Sequence, residues 1–192
     1  MTVQKRIRIR RGRLLEALGK LDTGSIERAL DLMRDALGSG GKVLIAGNGG
    51  SAGQASHFAT ELVVRYARYR KPAPAVALTV DGGVITATAN DYDFSRIFAR
   101  QVEALGRAGD ILVALSTSGR SENVNRAVEA AKERGLRVIY LTGEDGTPVG
   151  DMCDVVIRVP CRDTACIQEV HLFIIHTICE ALEDDWEEEE KD

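Results

Sequence analysis

Short apolar runs alternate with stretches of helical periodicity along most of this chain. The clearest run, residues 43–46 (VLIA), stops at a glycine-rich turn, and a helical pattern follows. Because buried strands that alternate with helices form parallel sheets covered on both faces, this pattern predicts an α/β protein of one domain. Strands are predicted at 43–46, 74–79, 110–115, 137–142 and 155–159, and further helices at 14–21, 25–37, 94–105, 122–134 and 166–182, with 84–90 helical or irregular.

Two predicted helices precede the first strand. The second has an apolar residue every three or four positions from Ile26 to Leu37, and Ser25 stands where an N-cap is expected. Two helices in this place cannot cover both faces of a sheet. Their remaining apolar surface therefore predicts packing against a partner subunit.

Composition is that of a soluble globular domain, with 192 residues, 44% hydrophobic and 28% charged. The net charge of −4 gives no reason to expect nucleic acid as the main partner. Charge divides the chain into a basic arm (1–13), a domain (14–183) and an acidic tail (184–192). Both ends are expected to be solvated, partly disordered tails; alternatively, the arm contacts an anionic partner or a neighbouring subunit's acidic tail.

Neither a membrane span nor an export signal is expected. No stretch approaches the ~20 apolar residues of a span, and the basic N-terminus lacks the apolar core of a secretory signal. The four cysteines, Cys153, Cys161, Cys166 and Cys179, match no zinc-ribbon or redox spacing. They are expected to be reduced thiols in a cytoplasmic protein.

The first candidate site is the turn at residues 47–51 (GNGGS), which follows strand 43–46. Glycines let a ligand approach the backbone closely, and Ser51 is predicted to cap the next helix with its hydroxyl towards the same pocket. His57 and Glu61 follow on that helix, about 40° apart around its axis. They can bind a metal or move a proton, although such spacing more often gives a simple surface pair.

A second polar turn, residues 116–121 (STSGRS), follows strand 110–115. Its hydroxyls and backbone amides lie at a helix N-terminus, where a phosphate is stabilised. Since neither a nucleotide P-loop nor a complete GxGxxG is present, the phosphomonoester of a small molecule fits better than a nucleotide. The alternative is a serine-rich turn with one capping serine.

The predicted last helix carries polar side chains on an apolar background. His176 is flanked by core-facing residues, and a buried imidazole needs a hydrogen-bond or metal partner. Gln168 is eight residues earlier, about 80° away around the helix, so both can face one pocket. Elsewhere, Asn90 and Asp91 either fix a substrate hydroxyl or cap the helix at Phe94.

Together these segments resemble the sugar isomerase (SIS) fold, and specifically its phosphoheptose isomerases (sedoheptulose 7-phosphate isomerases), from about residue 14 to 183. STSG alone marks a sugar-phosphate SIS domain, whereas GNGGSA with HxxxE and IQE…H is specific to this subfamily. The resemblance implies a single SIS domain with a flavodoxin-like five-stranded parallel sheet flanked by helices, and N-terminal helices used in oligomerisation. The matching pieces are GNGGSA at 47–52, HFATEL at 57–62, NDYDF at 90–94, RQVEALGRAGD at 100–110, STSGRSENV at 116–124, and IQEVH with His176.

The resemblance implies an aldose–ketose isomerase, which is an intramolecular oxidoreductase. Its substrate would be a phosphorylated seven-carbon sugar, sedoheptulose 7-phosphate, and its product D-glycero-D-manno-heptose 7-phosphate. This is the first step towards nucleotide-activated heptose for surface polysaccharide such as lipopolysaccharide. The expected assembly is a cytoplasmic homotetramer whose active sites are completed by neighbouring subunits.

Residue by residue, the resemblance implies three overlapping sets. Glu61 and His176 are the acid/base pair, because isomerisation through an enediol needs a base, a second proton donor and stabilisation of the oxyanion. One zinc ion per subunit, found in some members, would be bound by His57, Glu61, Gln168 and His176, although glutamine is an unusual zinc ligand. The substrate phosphate would contact Ser51, Ser116, Thr117, Ser118 and Ser121, and the sugar Asn48, Gly49, Gly50, Glu61, Asn90, Asp91 and Gln168.

Two positions depart from the family pattern. Cys166 replaces an arginine beside Gln168, and Ala165 stands where some members have an aspartate; both leave the acid/base pair intact. Two alternatives belong to other functional classes. One is a non-catalytic SIS adaptor for the replication initiator protein, whose relatives lack a histidine at the position of His176. The other is a phosphosugar-sensing regulator, which needs the 116–121 turn alone.

Overall fold

One sheet of five parallel strands runs through the protein, in a computed structural model that describes residues 1–186. The strand order is β2-β1-β3-β4-β5, and every adjacent pair is parallel. This is the flavodoxin-like order, so the predicted α/β fold is confirmed. The strands are β1 Val43–Gly47, β2 Ala75–Ala77, β3 Ile111–Ser116, β4 Arg137–Thr142 and β5 Val155–Arg158.

The helices agree with the sequence pattern to within a few residues at most positions. They are α1 Val3–Gly19, α2 Thr23–Gly38, α3 Gly50–Val63, α4 Gly82–Asp91, α5 Ala99–Leu105, α6 Glu122–Glu133 and α7 Thr164–Asp184. The predicted helix at 94–105 is divided into a short 3₁₀ turn, Phe94–Arg96, and α5. The Asp93 side chain accepts a hydrogen bond from the Ser95 N–H at 2.7 Å, and so caps the first of these two pieces.

Both faces of the sheet are covered. Alternate strand residues point to opposite sides, so Val43 and Ile45 belong to one buried cluster and Leu44 and Ala46 to the other. The first cluster contains α2, α3 and α7, and the second contains α5 and α6. Helices α3 and α7, which carry the predicted acid/base pair, therefore lie on the same face and contact each other.

The second N-terminal helix packs within its own chain along one face. Helix α2 buries Ile26, Ala29 and Met33 against α7 and β5. Packing of the two N-terminal helices on a partner subunit stays a prediction. The N-cap of α2 is Asp22, whose carboxylate accepts the Gly24 N–H at 3.0 Å. The predicted cap, Ser25, instead donates its hydroxyl to the Asp22 carbonyl at 2.7 Å.

The described parts of the two terminal segments are not disordered, contrary to the prediction for them. Residues 3–13 of the basic arm form the first half of α1. Two of its arginines form ion pairs: Arg10 with Glu169, and Arg13 with Asp163 at 3.1 Å. At the other end, α7 continues to Asp184, and residues 187–192 of the predicted tail lie outside the described residues. The limits of the domain at residues 14 and 183 remain predictions.

Helix α7 also corrects the expectation about membrane spans. It is long and apolar enough to cross a membrane, although half of its most apolar window is buried inside the protein. Its apolar residues, among them Val170, Ile174 and Ile178, pack in the core cluster of its own sheet. The length and the apolar composition of α7 are therefore explained by its position in the core of the protein.

Candidate active site

The two polar turns predicted to bind substrate lie side by side. Strands β1 and β3 are neighbours with Gly47 opposite Leu115, so the turns that follow them share one edge of the sheet. The chain passes from β1 to β2 on one side and then to β3 on the other, which makes this edge the point where ligands bind in such folds. The side-chain amides of Asn48 and Asn123 join the two turns through a reciprocal pair of hydrogen bonds, each 2.8 Å.

The first turn depends on glycine. Gly49 occupies the N-cap position of α3 with φ of 54°, a left-handed conformation that favours glycine. Ser51 is therefore not the cap that was predicted; it lies in the first turn of α3 and is 3% exposed. A Cβ atom on Gly50 would approach the Gln168 amide nitrogen to 2.5 Å, so only glycine lets that amide lie against the turn.

The second turn presents hydroxyl groups at the N-terminus of α6. The Ser116 and Ser121 hydroxyls are 2.9 Å apart, and Ser121 makes no side-chain capping bond to α6. The simpler interpretation, a turn with one capping serine, thus fails for Ser121. A cavity of about 200 Å³ beside the turn is lined by Thr117, Ser118 and Arg120 together with Arg162, Glu144 and Asp145, so both cations and carboxylates accompany the hydroxyls.

Three of the predicted ionisable residues meet between α3 and α7. The Nε2 atoms of His57 and His176 are 2.8 Å apart, and the carboxylate of Glu61 lies 3.5 Å from the same nitrogen of His57. The Glu61 side chain is 15% exposed and that of His57 40%, so the cluster opens to solvent on one side. Glu61 and His176 thus face one compartment, as proton transfer to a shared substrate requires.

Gln168 lies near the N-terminal end of the same helix pair, whereas His57 and His176 lie near its middle. The side-chain amide of Gln168 lies against Gly50. The backbone carbonyl of Gln168 accepts a hydrogen bond from the side-chain amide of Gln54 at 2.6 Å. His57 and His176 meet two helical turns further along, about 12 Å by the rise of α7. The structure therefore brings Gln168 to the first polar turn rather than into contact with the imidazoles.

Asn90 and Asp91 form the end of α4 and are exposed. The Asn90 amide donates to the Asp91 carboxylate at 2.7 Å. The alternative role of Asp91 as the cap at Phe94 is wrong, because Asp93 takes that position. Their predicted contact with the sugar stays a prediction.

Two further residues at the site were missed from the sequence. Asn123 is buried in the first turn of α6 and pairs with Asn48. A buried amide in such a place needs a polar partner, and this was the available signal. Tyr66 follows α3, and its ring lies 5.5 Å from the His176 ring; nothing in the local pattern indicates that contact.

His171, rather than His176, is the fully buried histidine. Its exposure is 0%, its Nε2 lies 3.4 Å from the Thr142 carbonyl, and its Nδ1 has no hydrogen-bond partner within residues 1–186. Burial lowers the pKa of His171 to about 4, against the smaller opposing effect of the Thr142 carbonyl. The imidazole is therefore neutral in the folded protein at pH 7.

This buried imidazole predicts a loss of stability in mild acid. The unfolded chain binds a proton at His171 below about pH 6.5, whereas the folded chain does so only below about pH 4, so stability falls as pH drops through that window. We expect the free energy of unfolding to fall by about 2 kcal/mol from this group between about pH 7.5 and pH 5. Urea unfolding of the native chain and a His171→Phe variant measures it, and equal pH slopes for the two proteins would contradict the prediction.

The donor set between α3 and α7 is chemically suited to zinc. Two imidazole nitrogens and one carboxylate are ligands that zinc prefers. At 2.8 Å the Nε2 atoms are hydrogen-bonded, whereas two ligands of one tetrahedral zinc stand about 3.3 Å apart, so the rings would separate slightly. Within residues 1–186, no group of three or more His, Cys, Asp or Glu is already arranged for a metal. The residues fit zinc after that small adjustment.

Comparisons with known proteins bear on the family and the fold. A family model described as SIS domain matches residues 10–143. The phosphoheptose isomerase of Geotalea daltonii is 47% identical over 171 residues, 89% of this chain and 89% of its own, and that of Campylobacter concisus is 50% identical over 161 residues, 84% and 85%. The solved structure of phosphoheptose isomerase GmhA from Neisseria gonorrhoeae matches with a TM-score of 0.89 at 43% identity, covering 95% of this chain and 100% of that one. The similarity extends over most of each protein.

Proposed function

This chain belongs to the phosphoheptose isomerases of the SIS-domain family, and we propose that it interconverts sedoheptulose 7-phosphate and D-glycero-D-manno-heptose 7-phosphate with Glu61 and His176 as its acid/base pair. The strongest support for these two residues is that both contact His57: His176 through a hydrogen bond and Glu61 at 3.5 Å. They come from helices more than 100 residues apart in the chain, yet they meet in one groove between α3 and α7.

The second polar turn is proposed to hold the phosphate. Ser116, Thr117, Ser118 and Ser121 offer hydroxyl donors at the positive end of α6, and Ser51 lies in the first turn of α3. Charge-assisted hydrogen bonds of this kind are strong and fix the ligand's orientation. The phosphate thus anchors one end of an extended sugar, and the reacting end reaches the α3–α7 groove.

At the reacting end, the chemistry is movement of a proton between adjacent carbons. Removal of the C1 proton of the ketose gives an enediol, and protonation at C2 gives the aldose. Two groups suffice: one exchanges the carbon-bound proton, and the other handles the hydroxyl proton. A carboxylate and an imidazole on either side of His57 supply this pair.

Zinc is proposed as the cofactor, one ion per subunit. His57, Glu61 and His176 would hold it, and Gln168 would join them only if its amide left Gly50. When bound, zinc would act as a Lewis acid on a substrate oxygen that gains negative charge. Without that ion, His57 still orients both members of the acid/base pair.

A cytoplasmic homotetramer with shared active sites is also proposed. Helix α1 leaves Val3, Ile7 and Leu15 more than half exposed, which supports burial against other subunits. The exposed positions of Asn90 and Asp91 fit a site that a neighbour completes. The product would feed heptose synthesis for surface polysaccharide. The comparisons give no support to the adaptor or regulator alternatives.

Conversion of sedoheptulose 7-phosphate, followed by NMR with and without a chelator, tests substrate and metal together. We expect conversion by the untreated protein, loss of activity with the chelator, and recovery on adding zinc, with metal content measured in parallel. Unphosphorylated sedoheptulose is the matched control and should react poorly. Absence of conversion by the zinc-loaded protein would overturn the function, whereas full activity of the metal-free protein would overturn only the zinc proposal.

A further inference from the structure

A buried ion pair joins the C-terminal ends of the two helices that carry the acid/base pair. Arg70 follows α3 and Glu183 lies in the last turn of α7; their side chains are each 2% exposed, and Arg70 Nε is 3.3 Å from the Glu183 carboxylate. That nitrogen makes no directed hydrogen bond within residues 1–186, so this contact is electrostatic. Charges buried to this degree need further partners.

The Glu183 carboxylate finds those partners in the backbone that follows α3. It accepts hydrogen bonds from the N–H groups of Tyr66 at 2.7 Å, Ala67 at 2.9 Å and Arg68 at 2.9 Å. Burial raises the pKa of Glu183, but the three N–H donors and Arg70 outweigh it and leave the pKa below its usual value. The ionised carboxylate thus fixes the segment that holds the Tyr66 ring 5.5 Å from the His176 ring.

The Arg70 guanidinium binds the end of α3 itself. It donates to the carbonyl of Glu61 at 2.6 Å and to that of Leu62 at 2.7 Å. Carbonyls in the last turn of a helix lack partners within the helix, and a cation there also favours the helix dipole. The guanidinium also lies 4.6 Å from the centre of the Trp186 ring, which covers it. One of the carbonyls that it binds therefore belongs to Glu61, a member of the acid/base pair.

We propose that Arg70 and Glu183 are positioning residues for the acid/base pair. They set the spacing of α3 and α7, so that His57 and Glu61 meet His176, and they hold Tyr66 against His176. The inference rests on the proposed function and deepens it. Stability alone is a weak explanation for this pair, because replacing a buried ion pair by apolar residues of similar volume is often neutral or stabilising.

That property separates positioning from folding in an experiment. The double variant Arg70→Met/Glu183→Leu leaves no lone buried charge, so it is expected to fold. Its melting temperature is expected to be lower than that of the native chain, because the N–H groups of Tyr66, Ala67 and Arg68 lose their acceptor. We expect its kcat to fall by about 10- to 100-fold with KM within about twofold of the native value, because small displacements of reacting groups cost this much. The chain has three histidines, so ¹⁵N NMR should also show the loss of the His57–His176 hydrogen bond directly.

Arg34→Ala is the matched control, because Arg34 forms an exposed ion pair with Asp185, at 2.5 Å, just beyond the same end of α7. It should leave kcat and the imidazole spectrum unchanged. A folded double variant with native kcat and native imidazole signals would overturn the proposal. If the double variant does not fold, the Arg70→Lys variant provides the test. It keeps the positive charge but loses the paired N–H donors of the guanidinium. A native kcat and native imidazole signals in that variant would overturn the proposal. Inactivity of the native chain would refute the proposed function, while the NMR comparison would still test positioning.

Discussion

Replacing Glu61 with glutamine is expected to lower the isomerisation rate by about 10²-fold or more while the fold is retained. Glutamine keeps the shape of the side chain and removes its ability to exchange a proton. The carboxylate is largely enclosed and lies 3.5 Å from His57, so no exposed group can easily take its place. His176→Ala should have an effect of the same order, because it removes the other half of the pair.

The measurement is kcat for sedoheptulose 7-phosphate, with circular dichroism and the melting temperature as checks on folding. Glu180→Gln is a suitable control, since Glu180 is exposed on α7 one turn after His176. It should leave the rate unchanged. Native turnover in both the Glu61 and His176 variants would rule out the assigned chemistry.

Replacing Gly119 with alanine is expected to disable the second polar turn. Gly119 has φ of 66°, and a Cβ atom there would come within 1.8 Å of the Gly146 carbonyl oxygen. Neither backbone can yield without moving the loop, so the hydroxyls of residues 116–121 would leave their positions. Loss of one or two hydrogen bonds to a charged phosphate corresponds to about 10- to 100-fold weaker binding.

This second prediction is measured as an increase in KM for the phosphorylated ketose, together with a lower melting temperature. Gly12→Ala is the control, because Gly12 lies in α1 with no atom within 4 Å of the added Cβ. It should leave KM unchanged. If Gly119→Ala bound the substrate normally, the turn would not be the phosphate site.

Much of the fold follows from the apolar pattern. The strand β4 was predicted at its observed limits, and the order of strands and helices was correct, because burial on both faces leaves little choice of residue type. The helix caps were not predictable in this way: Asp22 and Gly49 take the positions expected for Ser25 and Ser51. Several residues in each turn are chemically able to cap, and the path of the incoming chain selects among them.

The N-terminal arm was mispredicted for a different reason. Charge runs usually remain solvated, but arginine and lysine are good helix formers, and α1 gains ion pairs with Glu169 of α7 and with Asp163, the N-cap of α7. Glu183, the last residue of the predicted domain, is buried against Arg70. Such contacts join segments more than 100 residues apart, so local pattern carries no information about them.

The candidate site was predictable in part. Motif resemblance selected His57, Glu61 and His176, and the structure brings these three together. It did not indicate that Gln168 would lie against Gly50, or that Asn123 would bridge to Asn48. Both contacts depend on how α3, α6 and α7 are placed around the sheet.

The most direct test is isomerisation of sedoheptulose 7-phosphate in deuterium oxide. If Glu61 and His176 shuttle a proton through an enediol, the proton removed from C1 exchanges with solvent, and the aldose product carries deuterium at C2. The Glu61→Gln variant should show neither exchange nor product at comparable rates. Undiminished product formation or undiminished deuterium uptake in both the Glu61→Gln and His176→Ala variants would contradict the proposed chemistry.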